Sequence, residues 1–300
     1  MRDITLCDPA KLQELVNWLA IEIGPRPRTR PDLLSKIRDY IATYFSQLGY
    51  QVLTQPVVWG KVTCHNVIAL PQNEELTTGN APLLVVGAHY DTVSRSPGAD
   101  DNSSAIAGLL ELARILAPDP PPGLRLVAFC PEEPPVFRTK KMGSYVFARN
   151  LKKQRAQVKG MICLEMIGYF QDENGSQSYP FPLMNRIYPK AGNFIALVGN
   201  LRSWHWATLI KAGFQLGTDL PIARLNGPSF VYGIDFSDHW SFNRHGYPAV
   251  MLTDTAFYRN PHYHKPTDHP NTLDYERAAE VINGLAAAVL SLVKMRCNHL

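Results

Sequence analysis

The sequence predicts an α/β protein built on a mixed, mostly parallel sheet that helices cover on both faces. Three observations carry that prediction. Short apolar runs recur along the middle of the chain, at residues 83–88, 124–130 and 158–164. Segments with apolar residues at helical spacing separate them. Strands buried on both faces read as such continuous runs, and the intervening helices are what bury them. Third, two strand-like segments near residues 50–59 and 62–70, joined at Gly60-Lys61, read as a hairpin that adds an antiparallel edge.

The elements follow in order. Asp8-Pro9 is an N-cap with proline at the first helical position. Leu12, Leu15, Val16, Leu19 and Ile23 then repeat at helical spacing until Gly24-Pro25-Arg26-Pro27 stops the helix. A second helix presents Leu34, Ile37, Ile41, Phe45 and Leu48 on one face and ends at Gly49. After the hairpin and the strand at 83–88, residues 103–116 read as a helix with Ile106, Leu109, Leu110 and Ala113 inward. Strands at 124–130, 158–164, 195–199 and 249–253, and helices at 142–151 and 275–293, complete the pattern. Residues 171–190 are polar with aromatics and prolines. They read as a long surface loop, and such loops are often functional.

Composition narrows the function. The 300 residues are 45% hydrophobic, ample for a sizeable core. With no repeat or low-complexity linker, the expectation is one domain over residues 1–300. Net charge is +4 with charges mixed along the chain, so neither nucleic acid nor an anionic membrane is expected as a partner. The five cysteines (Cys7, Cys64, Cys130, Cys163, Cys297) are scattered without a paired motif, which argues against a disulfide frame or a thiolate zinc site. The opening segment Met1 to Cys7 lacks the apolar run of a signal peptide, and residues 285–293 are too short to span a bilayer. The expectation is a soluble, cytoplasmic protein.

Five short segments then carry chemistry. His89-Tyr90-Asp91 follows an apolar strand, and a His–x–Asp pair in extended chain puts both side chains on one face. The His can bind a metal while the Asp accepts its other ring N–H; a hydrogen-bonded structural His is the alternative. Gly98-Ala99-Asp100-Asp101-Asn102 precedes a helix. Simple N-capping explains one of its acids, and a carboxylate bridging two cations explains the other. Glu132-Glu133 closes a buried strand, where two adjacent carboxylates repel unless a cation or a shared proton stabilises them. An exposed acidic turn before Pro134-Pro135 is the competing reading. Glu165 ends the next strand, and His264 lies in a loop with Asp268 four residues on. Carboxylates with imidazoles and no thiolate suit zinc, manganese or cobalt in a catalytic site.

Together these residues resemble the zinc aminopeptidase family that includes bacterial leucyl aminopeptidases, glutamate carboxypeptidase and the single-zinc glutaminyl cyclases. The resemblance runs from about residue 12 to the last helix. It implies a three-layer sandwich of about eight strands, the phosphorylase/hydrolase-like zinc exopeptidase fold, with two zinc ions per chain. Carried over by position, His89 and His264 resemble ligands of different metals, Asp101 the bridging carboxylate, Glu133 a ligand, Glu132 the general base and Asp91 the acid that orients His89. Glu165 is a valid ligand where most relatives have Asp. His239, within Phe236-Ser237-Asp238-His239-Trp240, matches a segment lining the pocket and either contacts substrate or positions a loop. The implied activity is removal of N-terminal residues from peptides. The alternatives are a single-zinc cyclase-like acyl transfer and a metal-free binding protein, the latter opposed by retention of every ligand. Tyr169, Phe170, Tyr232, Phe257 and Tyr258 are candidates for a side-chain pocket, and Arg138, Arg244 and Arg259 for a substrate carboxylate.

Overall fold

The computed structural model of the protein describes residues 6–77 and 82–295. Most of the opening segment, from Met1 to Thr5, and Cys297 lie outside the described residues.

Helix α1 (Pro9–Asn17) starts where the Asp8 carboxylate accepts the Ala10 N–H at 2.9 Å. A π-helical turn, Trp18–Ile23, continues it until Gly24 at φ +74°. Helix α2 (Pro31–Gln47) buries Leu34, Ile37, Ile41 and Phe45. Strands β1 (Gln51–Trp59) and β2 (Val62–Leu70) form the expected antiparallel hairpin. Then come β3 (Leu83–His89), α3 (Ala105–Leu116), β4 (Leu124–Phe129), α4 (Gly143–Lys153) and β5 (Val158–Glu165). The last third holds β6 (Ile195–Asn200), α5 (Trp204–Phe214), β7 (Ile222–Gly227), α6 (His239–Arg244), β8 (Ala249–Thr253) and α7 (Tyr275–Lys294). Among the described residues no helix is long and apolar enough to cross a membrane.

All eight strands join one sheet in the order β1-β2-β4-β3-β5-β8-β6-β7. Strands β4, β3, β5 and β8 are parallel, while β2 meets β4 and β6 meets β8 antiparallel. Successive side chains alternate between two apolar layers. Leu84, Val86 and Ala88 join the core under α1, α2, α3, α5 and α7. Leu83 and Val85 join the core under α4 and α6, with Phe147 and Phe242. The architecture is therefore the three-layer α/β sandwich expected. Because the four central strands are parallel, their carboxyl ends share one edge, where such sheets place their ligands.

Elements β7, α5 and α6 were not read from the sequence. Strand β7 carries Arg224 and Asn226 at the sheet edge, so no continuous apolar run marks it. Residues 171–190 are irregular apart from one turn of 3₁₀ helix, Pro182–Arg186, in keeping with the long loop expected.

Candidate metal centre

The last residue of β3 is His89. Its Nδ1 lies 3.1 Å from the Asp91 backbone carbonyl, and the Asp91 carboxylate is farther, at 3.6 Å. The carbonyl makes the closer contact to the ring, and the expected carboxylate stands beside it at ion-pair distance. The Asp91 carboxylate also accepts the backbone N–H groups of Glu132 at 3.0 Å and Glu133 at 3.2 Å. It thereby fixes the turn that follows β4.

Asp101 sits in a kinked turn, Ala99–Ser104, that leads into α3. Gly98 opens it at φ +66°, and a Cβ there would fall 2.3 Å from the Asp101 carbonyl oxygen, so glycine is required. Asp268 receives the N–H groups of Asp100 and Asp101 at 2.9 and 3.2 Å. The two adjacent acids then part. Asp100 accepts from Gly168 N–H at 3.0 Å and Asn260 Nδ2 at 2.7 Å, which makes it a brace between loops. Asp101 turns its carboxylate towards two histidines. Neither acid caps α3, whose N-cap is Ser104.

Those histidines define two triads. His89 Nε2 lies 3.4 Å from Asp101 Oδ1 and 3.4 Å from Glu165 Oε2. His264 Nε2 lies 3.1 Å from Asp101 Oδ2 and 3.3 Å from Glu133 Oε2. Within each triad the potential ligand atoms are all within 4.8 Å of one another. Asp101 thus gives one oxygen to each triad. Ser237 Oγ donates to Glu165 Oε2 at 2.6 Å and aims that carboxylate. His264 stacks on Tyr263 with ring centroids 3.9 Å apart.

Electrostatics supply the test of whether a cation fits. Asp101 Oδ1 and Glu133 Oε1 are buried without a hydrogen-bond partner, which is costly for acceptors left in this state. Burial pushes Glu133 up to about 7 and Glu132 well above the usual carboxylate range. Burial alone would depress His89, but Glu165, then Asp101 and Asp91, outweigh it and hold the ring well above its ordinary value. These are the marks of an acid-rich pocket in need of positive charge. The all-oxygen-and-imidazole donor set suits zinc or a neighbouring divalent ion.

All five expected ligands and Glu132 are gathered here; His239 is not. Its ring is fully buried and its Nε2 lies 2.7 Å from the Ile234 carbonyl, so it braces the lead into α6. Its neighbour Asp238, to which the sequence assigns no role within the same segment, is a fully buried carboxylate with neither oxygen hydrogen-bonded. Burial pushes Asp238 up to about 7, and the charges of His89 and Glu165 reach it. Its unpartnered state is a tertiary fact that no local pattern signals.

Beside Glu165 opens a narrow, largely apolar cleft. Tyr232, Phe257 and Tyr258 line it, together with Phe194 and Met251. Tyr169 and Phe170 are buried outside it. Arg259 is unavailable to a substrate carboxylate: it is buried, bonds Gln177 Oε1 at 2.8 Å and lies over the Phe194 ring at 4.6 Å.

A sequence model of peptidase family M28 matches residues 66–289. A protein of Escherichia coli K12 named uncharacterized protein YfbL is 41% identical over 286 residues, covering 92% of this chain and 86% of its own length. Leucine aminopeptidase 1 of Arthroderma otae is 25% identical over 233 residues, 72% of this chain, and the chain spans 56% of that relative's length. Among solved structures, LapB from Legionella pneumophila superposes with a TM-score of 0.75 at 20% identity, over 96% of this chain and 73% of that one. Fimbriiglobus ruber glutaminyl cyclase does so with a TM-score of 0.67 at 21% identity, over 97% of each chain. At those identities the two structures speak for the fold.

Proposed function

The chain belongs to peptidase family M28, and from that premise we propose that it is a metal-dependent aminopeptidase with Glu132 as its general base. One observation carries the reading: the two oxygens of Asp101 are divided between two His–carboxylate triads. His89, Asp101 and Glu165 would hold one divalent cation, and Asp101, Glu133 and His264 a second, with zinc the first choice. When bound, such a pair supplies Lewis acidity, lowering the pKa of water and polarising the scissile carbonyl.

The chain's own residues do the rest. Glu132 takes a proton from the attacking water on a carboxylate oxygen and returns it to the nitrogen of the leaving amine. Asp91 holds the Glu132 backbone while it does so. The unpartnered carboxylate of Asp238 adds to the negative field that draws the substrate's free ammonium group to the site. The apolar lining of the cleft beside Glu165 favours an apolar N-terminal side chain.

The test uses zinc-loaded protein on peptides with a free or an acetylated N-terminus, beside the Glu132→Gln variant. The expected result is cleavage of the free leucyl or phenylalanyl peptide only, with a loss of ~10²–10⁴ in the variant at unchanged metal content. Near-native turnover by Glu132→Gln would remove that residue from its role. Cleavage of blocked peptides alone would refute aminopeptidase action. One tight cation, together with ring closure of N-terminal glutamine peptides, would replace hydrolysis by a cyclase-type transfer.

A further inference from the structure

The segment Gly24-Pro25-Arg26-Pro27 reads in the sequence only as a helix stop, yet Arg26 is among the largest side chains with no exposed surface. All six of its side-chain acceptors are neutral. Nε donates to the Tyr90 carbonyl at 2.7 Å. Nη1 donates to the carbonyls of Leu19, Gly24 and Pro97 at 3.2, 3.3 and 2.8 Å. Nη2 donates to the Gly98 carbonyl at 3.3 Å and to Ser103 Oγ at 2.8 Å. The Arg26 backbone N–H adds a bond to Thr92 Oγ1 at 3.0 Å.

Two of these stretches carry proposed ligands. Tyr90 stands between His89 and Asp91, while Gly98 and Ser103 bracket Asp100-Asp101-Asn102. A rigid, planar fork can hold both stretches at once, where the compact ammonium of a lysine cannot. A buried cation without an ion-pair partner is costly, so a purely mechanical clip would favour a neutral group. The charge is in keeping with its surroundings, because Asp91, Asp101, Asp268 and Glu133 all act on it through space.

We propose that Arg26 is a positioning residue for the metal centre: it clips the backbones beside His89 and Asp101 together and so sets the separation of their side chains. This rests on the metal-dependent reading above. Its action is uneven by construction. His89 and Asp101 both belong to the triad completed by Glu165, whereas the triad completed by Glu133 and His264 shares only Asp101. Arg26 therefore governs mainly the first.

The test is titration of metal-free protein with cobalt(II), read by visible absorption, for the natural chain, Arg26→Lys and Ser103→Ala. Arg26→Lys keeps the charge and loses the fork; Ser103→Ala removes one acceptor, along with the Ser103 Oγ bond to the Gly98 carbonyl, and leaves the guanidinium in place. The expected result for Arg26→Lys is a ~10–100-fold weaker affinity at one of two sites, with a changed spectrum, the range typical for groups that orient ligands. Ser103→Ala should weaken the same site by less. A folded Arg26→Lys protein with natural affinities and spectrum overturns the proposal, as does equal weakening of both sites. If Arg26→Lys does not fold, Ser103→Ala decides alone, and natural binding by it overturns the proposal. Failure of the natural chain to take up a pair of cobalt ions would instead sink the metal reading itself, before any variant is compared.

Discussion

Asp91 occupies no ligand position in either triad, yet three groups of the site lean on it. Its carbonyl meets His89 Nδ1, and its carboxylate receives the N–H groups of Glu132 and Glu133. Asp91→Asn keeps the shape but turns an amide N–H₂ towards those donors. We expect kcat to fall ~10–100-fold with KM little changed, checked by steady-state kinetics on one aminoacyl substrate. At this scale the sequence was informative where chemistry and position coincide. His89 and Glu165 each close an apolar strand and Glu132 lies in the turn after one, and a charged group at such a place is conspicuous. The pair Asp100-Asp101 was conspicuous because capping could account for only one of its acids, yet neither caps α3, and the bracing role of Asp100 depends on Gly168 and Asn260, far along the chain. The role of Arg26 escaped notice because four of its six neutral acceptors belong to residues remote in the chain, and that of Asp238 because the lack of a donor to its oxygens shows only in the folded chain.

At the scale of elements, the site depends on how closely β3 and β4 approach. A Cβ on Gly87 would fall 2.4 Å from the Phe129 ring and 2.8 Å from the Val127 carbonyl. Gly87→Ala therefore pushes β3 away from β4, two residues before His89. A loss of ~1–3 kcal/mol is expected from overpacking, measured by urea unfolding of the metal-free protein. The central strands were legible because burial on both faces writes itself as an unbroken apolar run. Edge strand β7 was not, since one edge and a partly exposed face leave room for Arg224 and Asn226. Helix α6, six residues long, is too short for periodicity to register. The π-helical turn after α1 continues a helical pattern, so composition alone could not separate it from α1.

For the whole molecule, the ionisable groups of the centre make stability depend on pH in a defined sense. Without metal, burial holds Glu133 and Asp238 up to about 7, and the surrounding acids outweigh burial to hold His264 up to about 10. The folded state then binds more protons than the unfolded chain from about pH 4 to about pH 10, so stability falls as pH rises through that window. Asp101, held low by His264 and His89 against burial, acts in the opposite sense only under more acidic conditions. Chelator-treated protein should show a Tm that declines between about pH 5 and about pH 9, while the rise in Tm on adding zinc grows over the same range, since ligands bind metal deprotonated. Differential scanning fluorimetry at several pH values checks both trends, and a Tm of the metal-free protein that climbs with pH would contradict them. The side chain of His264 is 30% exposed while that of His89 is 1% exposed. Ions seated in the two halves would accordingly trade with the surrounding medium at different speeds. On the two-cation reading, the outer seat would empty and refill readily and the inner one would keep its first occupant. A sample's elemental make-up would then record its handling history, and sequential loading would become a route to chains carrying two different metals.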